Sequence, residues 1–188
     1  YLSLFTVINI FKSSGLKIYD VEQLDTHGGS LRVYGCHDND PRDICTSVEQ
    51  LLRQEKNFKL QEIKTYVGFQ DSINKIKNDF LLFLIDLKKK GCQVAAYGAA
   101  AKANTILNYA GVKTDLLPFI CDAAISKQGK YMPGSKIPIL HPSKLFEYCP
   151  DYIIIFPWNI ESEIISILQK SIDKKTKFVT IIPRLKIL

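Results

Sequence analysis

The stretch VAAYGAAAKANTILNYAG, residues 94–111, decides the fold. It reads as a buried strand, part of CQVAAYG at 92–98, that leaves through Gly98 into a helix over 101–111. Strand, tight turn, helix is the arrangement on which many folds seat a phosphate. Here the further glycines such a seat usually carries are alanines.

Segments C-terminal to this corner repeat the alternation. PFICD (118–122) and IPIL (137–140) read as strands, and a small helix covers 142–148. YIIIFPW (152–158) is a strand, 160–171 a helix and KFVTIIP (177–183) a last strand. Strands apolar at nearly every position are buried on both faces, as parallel strands covered by helices are. The expectation is an α/β domain over residues 91–188, doubly wound and Rossmann-like, with a mostly parallel sheet.

The residues before this domain behave differently. Leu4, Val7, Ile8 and Phe11 recur at helical spacing up to Gly15, an alternating strand comes next (Leu16, Ile18, Val21), and a Gly-Gly turn leads to a second (Leu31, Val33). A helix and one hairpin cannot enclose a core alone. Residues 1–40 therefore read as the end of a domain whose earlier part is absent. From 41 to 90 the pattern is helical, with Ile44, Val48, Leu51 and Leu52 on one face. Ile63, Val67, Ile73, Ile76, Phe80 and Leu84 continue it, as one helix bent at Gly68 or as two. This is read as a packed arm.

Composition limits the classes. With 188 residues, 46% hydrophobic, the chain can bury a domain core and carry an extra lobe. The longest apolar run, at 152–158, is too short to cross a membrane as a helix, and no leader opens the chain, so no membrane partner and a cytoplasmic location are expected. Five scattered cysteines, Cys36, Cys45, Cys92, Cys121 and Cys149, lack the close pairing of a zinc or dithiol site and are read as reduced and mostly buried. The net charge is +6, but its lysines gather where helices should end, which argues against a nucleic-acid partner and leaves room for an anionic small substrate. The unfinished sheet at 16–35 exposes edges that invite a homo-oligomer through the first 40 or so residues.

Four places could carry chemistry. At the turn after the first parallel strand, Gly98 lets the chain leave sharply, Ala99 and its neighbours keep helix amides open to an anion, and Lys102 adds charge. The plainer reading is tight helix-on-strand packing by alanine. Asp122 closes the next strand, 24 residues after Gly98, in the region where dinucleotide folds place the acid that grips a ribose. A nicotinamide cofactor is nonetheless disfavoured, because GxGxxG is absent. The loop 126–139, dense in glycine, proline and lysine, offers Tyr131 for stacking on a base or ribose. Trp158 and Asn159 end another strand at the same edge, where Asn159 could line a cleft or cap the next helix. His27, before Gly28 and Gly29 at a hairpin mouth, could act as a general base or be merely solvated. Arg32 could clamp an anion or form the polar face of its strand, and His141 reads as a turn residue.

Together HGGSLR, YGAAAKANTILNY, DAAISKQGKYMPGSKIPI and PDYIIIFPWN resemble the C-terminal region of the S-adenosylmethionine-dependent C-methyltransferases of nucleotide-linked deoxysugars, over nearly the whole chain. The resemblance implies that a zinc-binding domain and a Rossmann-like methyltransferase domain precede a second Rossmann-like domain that closes over the nucleotide-sugar. Residues 1–37 would be the last helix and hairpin of the methyltransferase domain. It implies that His27 is the base that removes a proton beside the sugar's keto group, the enolate carbon then attacking the methyl sulfonium. Thr26 departs from the acid often found at that position. It also implies that Gly98, Lys102, Asn104 and Thr105 form the substrate-side turn, with Tyr131 and Trp158 in matching segments. No glycine-rich S-adenosylmethionine loop and no four-cysteine zinc cluster occurs in these residues. On this reading the chain alone neither binds the methyl donor tightly nor catalyses. The competing classes are a Rossmann-like module that only binds nucleotides or a partner, and an NAD-dependent oxidoreductase.

Overall fold

The computed structural model describes residues 2–188, the side chain of His27 excepted. The first helix, α1 (Leu4–Ser13), is started by Ser3, whose hydroxyl accepts the Thr6 N–H. A buried carboxylate from far along the chain completes the cap: Glu55 Oε1 accepts from Leu4 N at 2.5 Å and Oε2 from Phe5 N at 3.0 Å. An acid on these orphan amides satisfies donors that a helix start leaves open and complements the helix dipole. The hairpin β1 (Leu16–Leu24) and β2 (Ser30–His37) pairs antiparallel from Leu16↔His37 to Leu24↔Ser30, with a bulge at Tyr19. The Tyr19 carbonyl accepts the Cys45 N–H at 2.8 Å, at the entry to α2 (Thr46–Asn57). Leu4, Ile18, Val21, Val48 and Leu51 then form one small core.

The structure divides the chain into two compact units, Tyr1–Gln70 and Asp71–Leu188. That is not the three-part division at 40/41 and 90/91. The helical stretch is shared out: α2 completes the first core. The long α4 (Phe69–Lys89), which comes after the short α3 (Lys64–Val67) across a break at Gly68, buries Phe80, Leu84 and Leu87 in the second. The physical reason is that a helix and hairpin need one more apolar face, and α2 supplies it.

In the second unit, β3 (Val94–Tyr97), β4 (Ile120–Cys121), β5 (Ile139–Leu140), β6 (Tyr152–Ile155) and β7 (Lys177–Thr180) are parallel. They stand in the order β5-β4-β3-β6-β7, and β8 (Lys186–Ile187) closes the β7 edge antiparallel. β8 is an element the sequence pattern did not announce. The helices α5 (Ala101–Ala110) and α4 cover one face, where Ala96, Ile154 and Val179 point. α6 (Ser143–Tyr148) and α7 (Glu161–Leu168) cover the other, against Ala95, Ile153, Ile155 and Phe178. This is the Rossmann-like, doubly wound sheet expected, apolar at successive positions because both faces are buried. The strand order reverses between β3 and β6, the switch point at which such sheets bind ligands.

Candidate functional site

The corner after β3 is fixed by its neighbours. Gly98 has φ +96, and a Cβ there would overlap the ring of Pro157, which lies just beyond β6. Its N–H donates to Cys121 O at 2.7 Å, and the Ala100 N–H folds back to Gly98 O at 2.9 Å. Ala100 starts α5 with no side-chain cap, so the first-turn amides have no partner inside their own helix.

Asp122 is turned into this corner. Its Oδ2 accepts the Ala99 N–H at 2.7 Å and Lys127 Nζ at 3.0 Å, and its Oδ1 accepts the Ala124 N–H at 2.8 Å. The residue is 8% exposed. Both carboxylate oxygens are taken by the chain's own donors, so Asp122 pins the corner to the turn after β4.

One side of α5 stays open. A cleft of ≈ 410 Å³ lies between Ala99, Ala100, Ala101 and Asn104 on one wall and Lys130 and Tyr131 on the other, with Lys127 at its edge. Tyr131 is 66% exposed. The 126–139 segment is a folded flap: Met132 N–H donates to Ile137 O at 2.8 Å, and Ile139 N–H to Lys130 O at 2.8 Å. A tethered flap presents its lysines and ring from defined backbone positions.

The other side, at the switch point, is closed. Lys102 Nζ donates to Asn159 Oδ1 at 3.0 Å and stands 4.8 Å from the centre of the Trp158 ring. The void beside them is ≈ 10 Å³, room for about one water. Asn159 therefore holds Lys102 and does not cap α7, whose preceding residue is Ile160. Thr105 is exposed and donates to Ala101 O within its own helix. Of the expected substrate residues, the structure brings Ala99, Asn104 and Tyr131 to one cleft; Lys102, Trp158 and Asn159 meet one another on the far side, and Gly98 and Asp122 form the floor between.

A family model described as the C-methyltransferase C-terminal domain matches residues 25–183. The chain belongs to that family. It is also similar to the C-methyltransferase NovU of Streptomyces niveus, with 30% identity over 188 residues, which cover 100% of this chain and 45% of that protein. The chain thus spans less than half the length of this curated relative.

Within this C-methyltransferase C-terminal domain, His27 falls in the matched stretch. Its backbone sits in a 3-10 turn, Thr26–Gly28, closed by the Gly29 N–H donating to Thr26 O at 3.0 Å. Its side chain lies outside the described residues. Arg32 pairs with Glu22 at 3.0 Å on the exposed hairpin face, as the polar-face reading has it. His141 serves its turn, Nδ1 accepting the Ser143 N–H at 3.1 Å.

The cysteines need correction: only Cys121 is buried, while Cys36 and Cys92 are half-buried and Cys45 and Cys149 exposed. Burial pushes the Cys121 thiol up to about 12, so it stays protonated at neutral pH and is no nucleophile. Burial, then the nearby Asp122, raise the Tyr97 phenol as well. Among the described residues, no cluster of three or more His, Cys, Asp or Glu could hold a metal, and no helix is long and apolar enough to cross a membrane. Sequence reasoning did not single out Lys127, Lys130 or Asn108. The lysine density of the loop was the signal for the first two; for Asn108, four residues after Asn104 on the same helix face, the signal was spacing.

Proposed function

We propose that this chain is the C-terminal part of an enzyme that transfers a methyl group from S-adenosylmethionine to a carbon of a nucleotide-linked keto-deoxysugar, and that its second unit closes over the nucleotide-sugar. The observation that carries the reading is the open cleft beside α5 in a C-methyltransferase C-terminal domain. Lysines and first-turn amides favour an anion there, and the exposed Tyr131 ring offers a face to a base or ribose.

In this reading S-adenosylmethionine supplies the methyl group on a good leaving group. Asp122, the acid in the Rossmann position, already accepts from the Ala99 and Ala124 N–H groups and from Lys127, which leaves it poorly suited to take the two hydroxyls of an adenosyl ribose. The holder of the methyl donor, like the zinc of the resembling enzymes, is assigned to residues outside these 188. His27 is the base: it removes the proton beside the keto group, and the two glycines after it let substrate approach the backbone closely. An oxidoreductase is disfavoured by the same engaged acid and the single glycine at the corner.

The test has two parts. Titration of the chain with a thymidine-diphosphate sugar, S-adenosylmethionine and NAD, each alone, is expected to show saturable binding of the first only; binding of NAD would overturn the reading. In the whole enzyme, His27→Asn is expected to lower methyl transfer by about 10²–10⁴-fold, and an unchanged rate would remove His27 from the chemistry.

A further inference from the structure

Asn108 and Asn104 face each other one turn apart on α5. Asn108 Nδ2 donates to Asn104 O at 2.9 Å, to Pro133 O at 2.9 Å and to Asn104 Oδ1 at 3.1 Å. Two of these partners are backbone carbonyls, which only accept, so the Asn108 group among them must be the NH2. Its two N–H bonds serve these carbonyls, and the longer contact to the Asn104 side chain at 3.1 Å shares one of them; an oxygen is the group that fits there, since an NH2 facing an NH2 would repel. The Asn104 carboxamide is thereby oriented by chemistry, and its own NH2 is turned away from Asn108, without a protein acceptor among the described residues. Asn104 lines the cleft, opposite the flap that carries Lys130 and Tyr131. The same Asn108 donor grips that flap at Pro133. Gly134, at φ +73, allows the close approach, because a Cβ there would overlap the Asn108 carboxamide.

We propose that Asn108 is a positioning residue that locks Asn104 with its NH2 toward the cleft and holds the flap at the matching distance. The cleft then selects an acceptor-rich group, the diphosphate of a nucleoside diphosphate, beside the Tyr131 ring. This rests on the reading of the cleft as the nucleotide-sugar site and adds which groups set its selectivity. Asn104 and Lys130 both line the cleft and the Asp122 carboxylate is occupied elsewhere, so both walls hold side-chain donors for a ligand. A ligand group that donates would meet donors and leave them unpaired, at a cost that discriminates strongly.

The experiment uses the ¹⁵N-labelled chain and thymidine diphosphate, with thymidine as the control. Thymidine diphosphate is expected to shift the Asn104 side-chain NH2 resonance and thymidine is not. Asn104→Ala and Asn108→Ala are each expected to weaken thymidine diphosphate about tenfold. The double variant should be weaker than Asn104→Ala by less than the loss that Asn108→Ala causes alone, because the part of Asn108 that acts through Asn104 is already gone and only its hold on Pro133 remains. A merely structural Asn108 would give losses that multiply. If thymidine diphosphate binds and moves the amides of 99–104 but leaves the Asn104 NH2 in place, or if the two losses multiply, the inference is overturned and the nucleotide site stands. If thymidine diphosphate binds nowhere on the chain, both fall. Should Asn108→Ala unfold, the wild-type NH2 shift and the Asn104→Ala affinity decide alone.

Discussion

The two sides of the α5 N-terminus are built from the same kinds of residue and end differently. On the β6 side a lysine, an aromatic ring and an asparagine close on one another: Lys102 is held by Trp158 and Asn159, and Pro157 lies against Gly98. On the β4 side two lysines, an aromatic ring and an asparagine stand apart around an open cleft. The difference is the connection that each strand makes. β6 runs within three residues into a 3-10 turn, Trp158–Ile160, too short to leave a gap. β4 leads into a long flap that folds on itself and on β5 before it reaches α6. Connection length at the end of a strand therefore decides which side of the corner stays open.

The most severe way to break this comparison is at the glycine the two sides share. Gly98→Ala puts a side chain on a residue at φ +96 and drives it into Pro157. Left-handed backbone costs about 1–2 kcal/mol and overpacking about 1–3, so a loss of about 2–5 kcal/mol of stability is expected. Chemical denaturation monitored on the second unit checks it, and a variant as stable as the parent would show that the corner is looser than described. Next is the pin between the floor and the open side. Asp122→Ala leaves the Ala99 amide buried without its acceptor and frees Lys127, for which about 1.5–3 kcal/mol is expected, again by denaturant midpoint. A loss below about 0.5 kcal/mol would mean that water replaces the carboxylate and that the pin is not needed.

How far these features could be read beforehand depends on the interactions that make each of them. The parallel sheet was legible because burial on both faces makes 94–97, 152–155 and 177–180 apolar without alternation, a signal local to each strand. The break at Gly68 was legible as one of two options, since glycine weakens a helix wherever it sits. The role of Asp122 was not. Its spacing from Gly98 fits a ribose acid, but its partners, the amides of Ala99 and Ala124 and the Lys127 ammonium, converge only when β4 lies beside β3. Glu55 was hidden for the same reason: an acid on a polar helix face looks solvated until α1 places its amides against it. Lys102 looked like a ligand's cation because the sequence does not show that Trp158 and Asn159 reach it first. The exposed cysteines are a parallel case, as the apolar preference of a thiol says nothing of Cys45 before a helix or Cys149 after one.

The finest way to sharpen the comparison exchanges nothing but one charge on each side. Lys130→Met removes the cation from the open cleft, where a phosphate would have it as a direct partner, and keeps the aliphatic stem. Lys102→Met removes the cation from the closed side, where it is held by Asn159 and the Trp158 ring. A charge-assisted contact is worth about 1.5–3 kcal/mol at most and less at a solvated rim, so Lys130→Met is expected to weaken thymidine diphosphate about five- to tenfold. Lys102→Met should change it less than about twofold, at a stability cost of about 0.5–1 kcal/mol for the lost cation–π contact. Titration at two salt concentrations distinguishes the two, because removing a direct phosphate partner flattens the salt dependence and removing an internal cation does not. If Lys102→Met proves the weaker binder, the closed side opens in solution, and the ligand sits at the switch point between β3 and β6 after all.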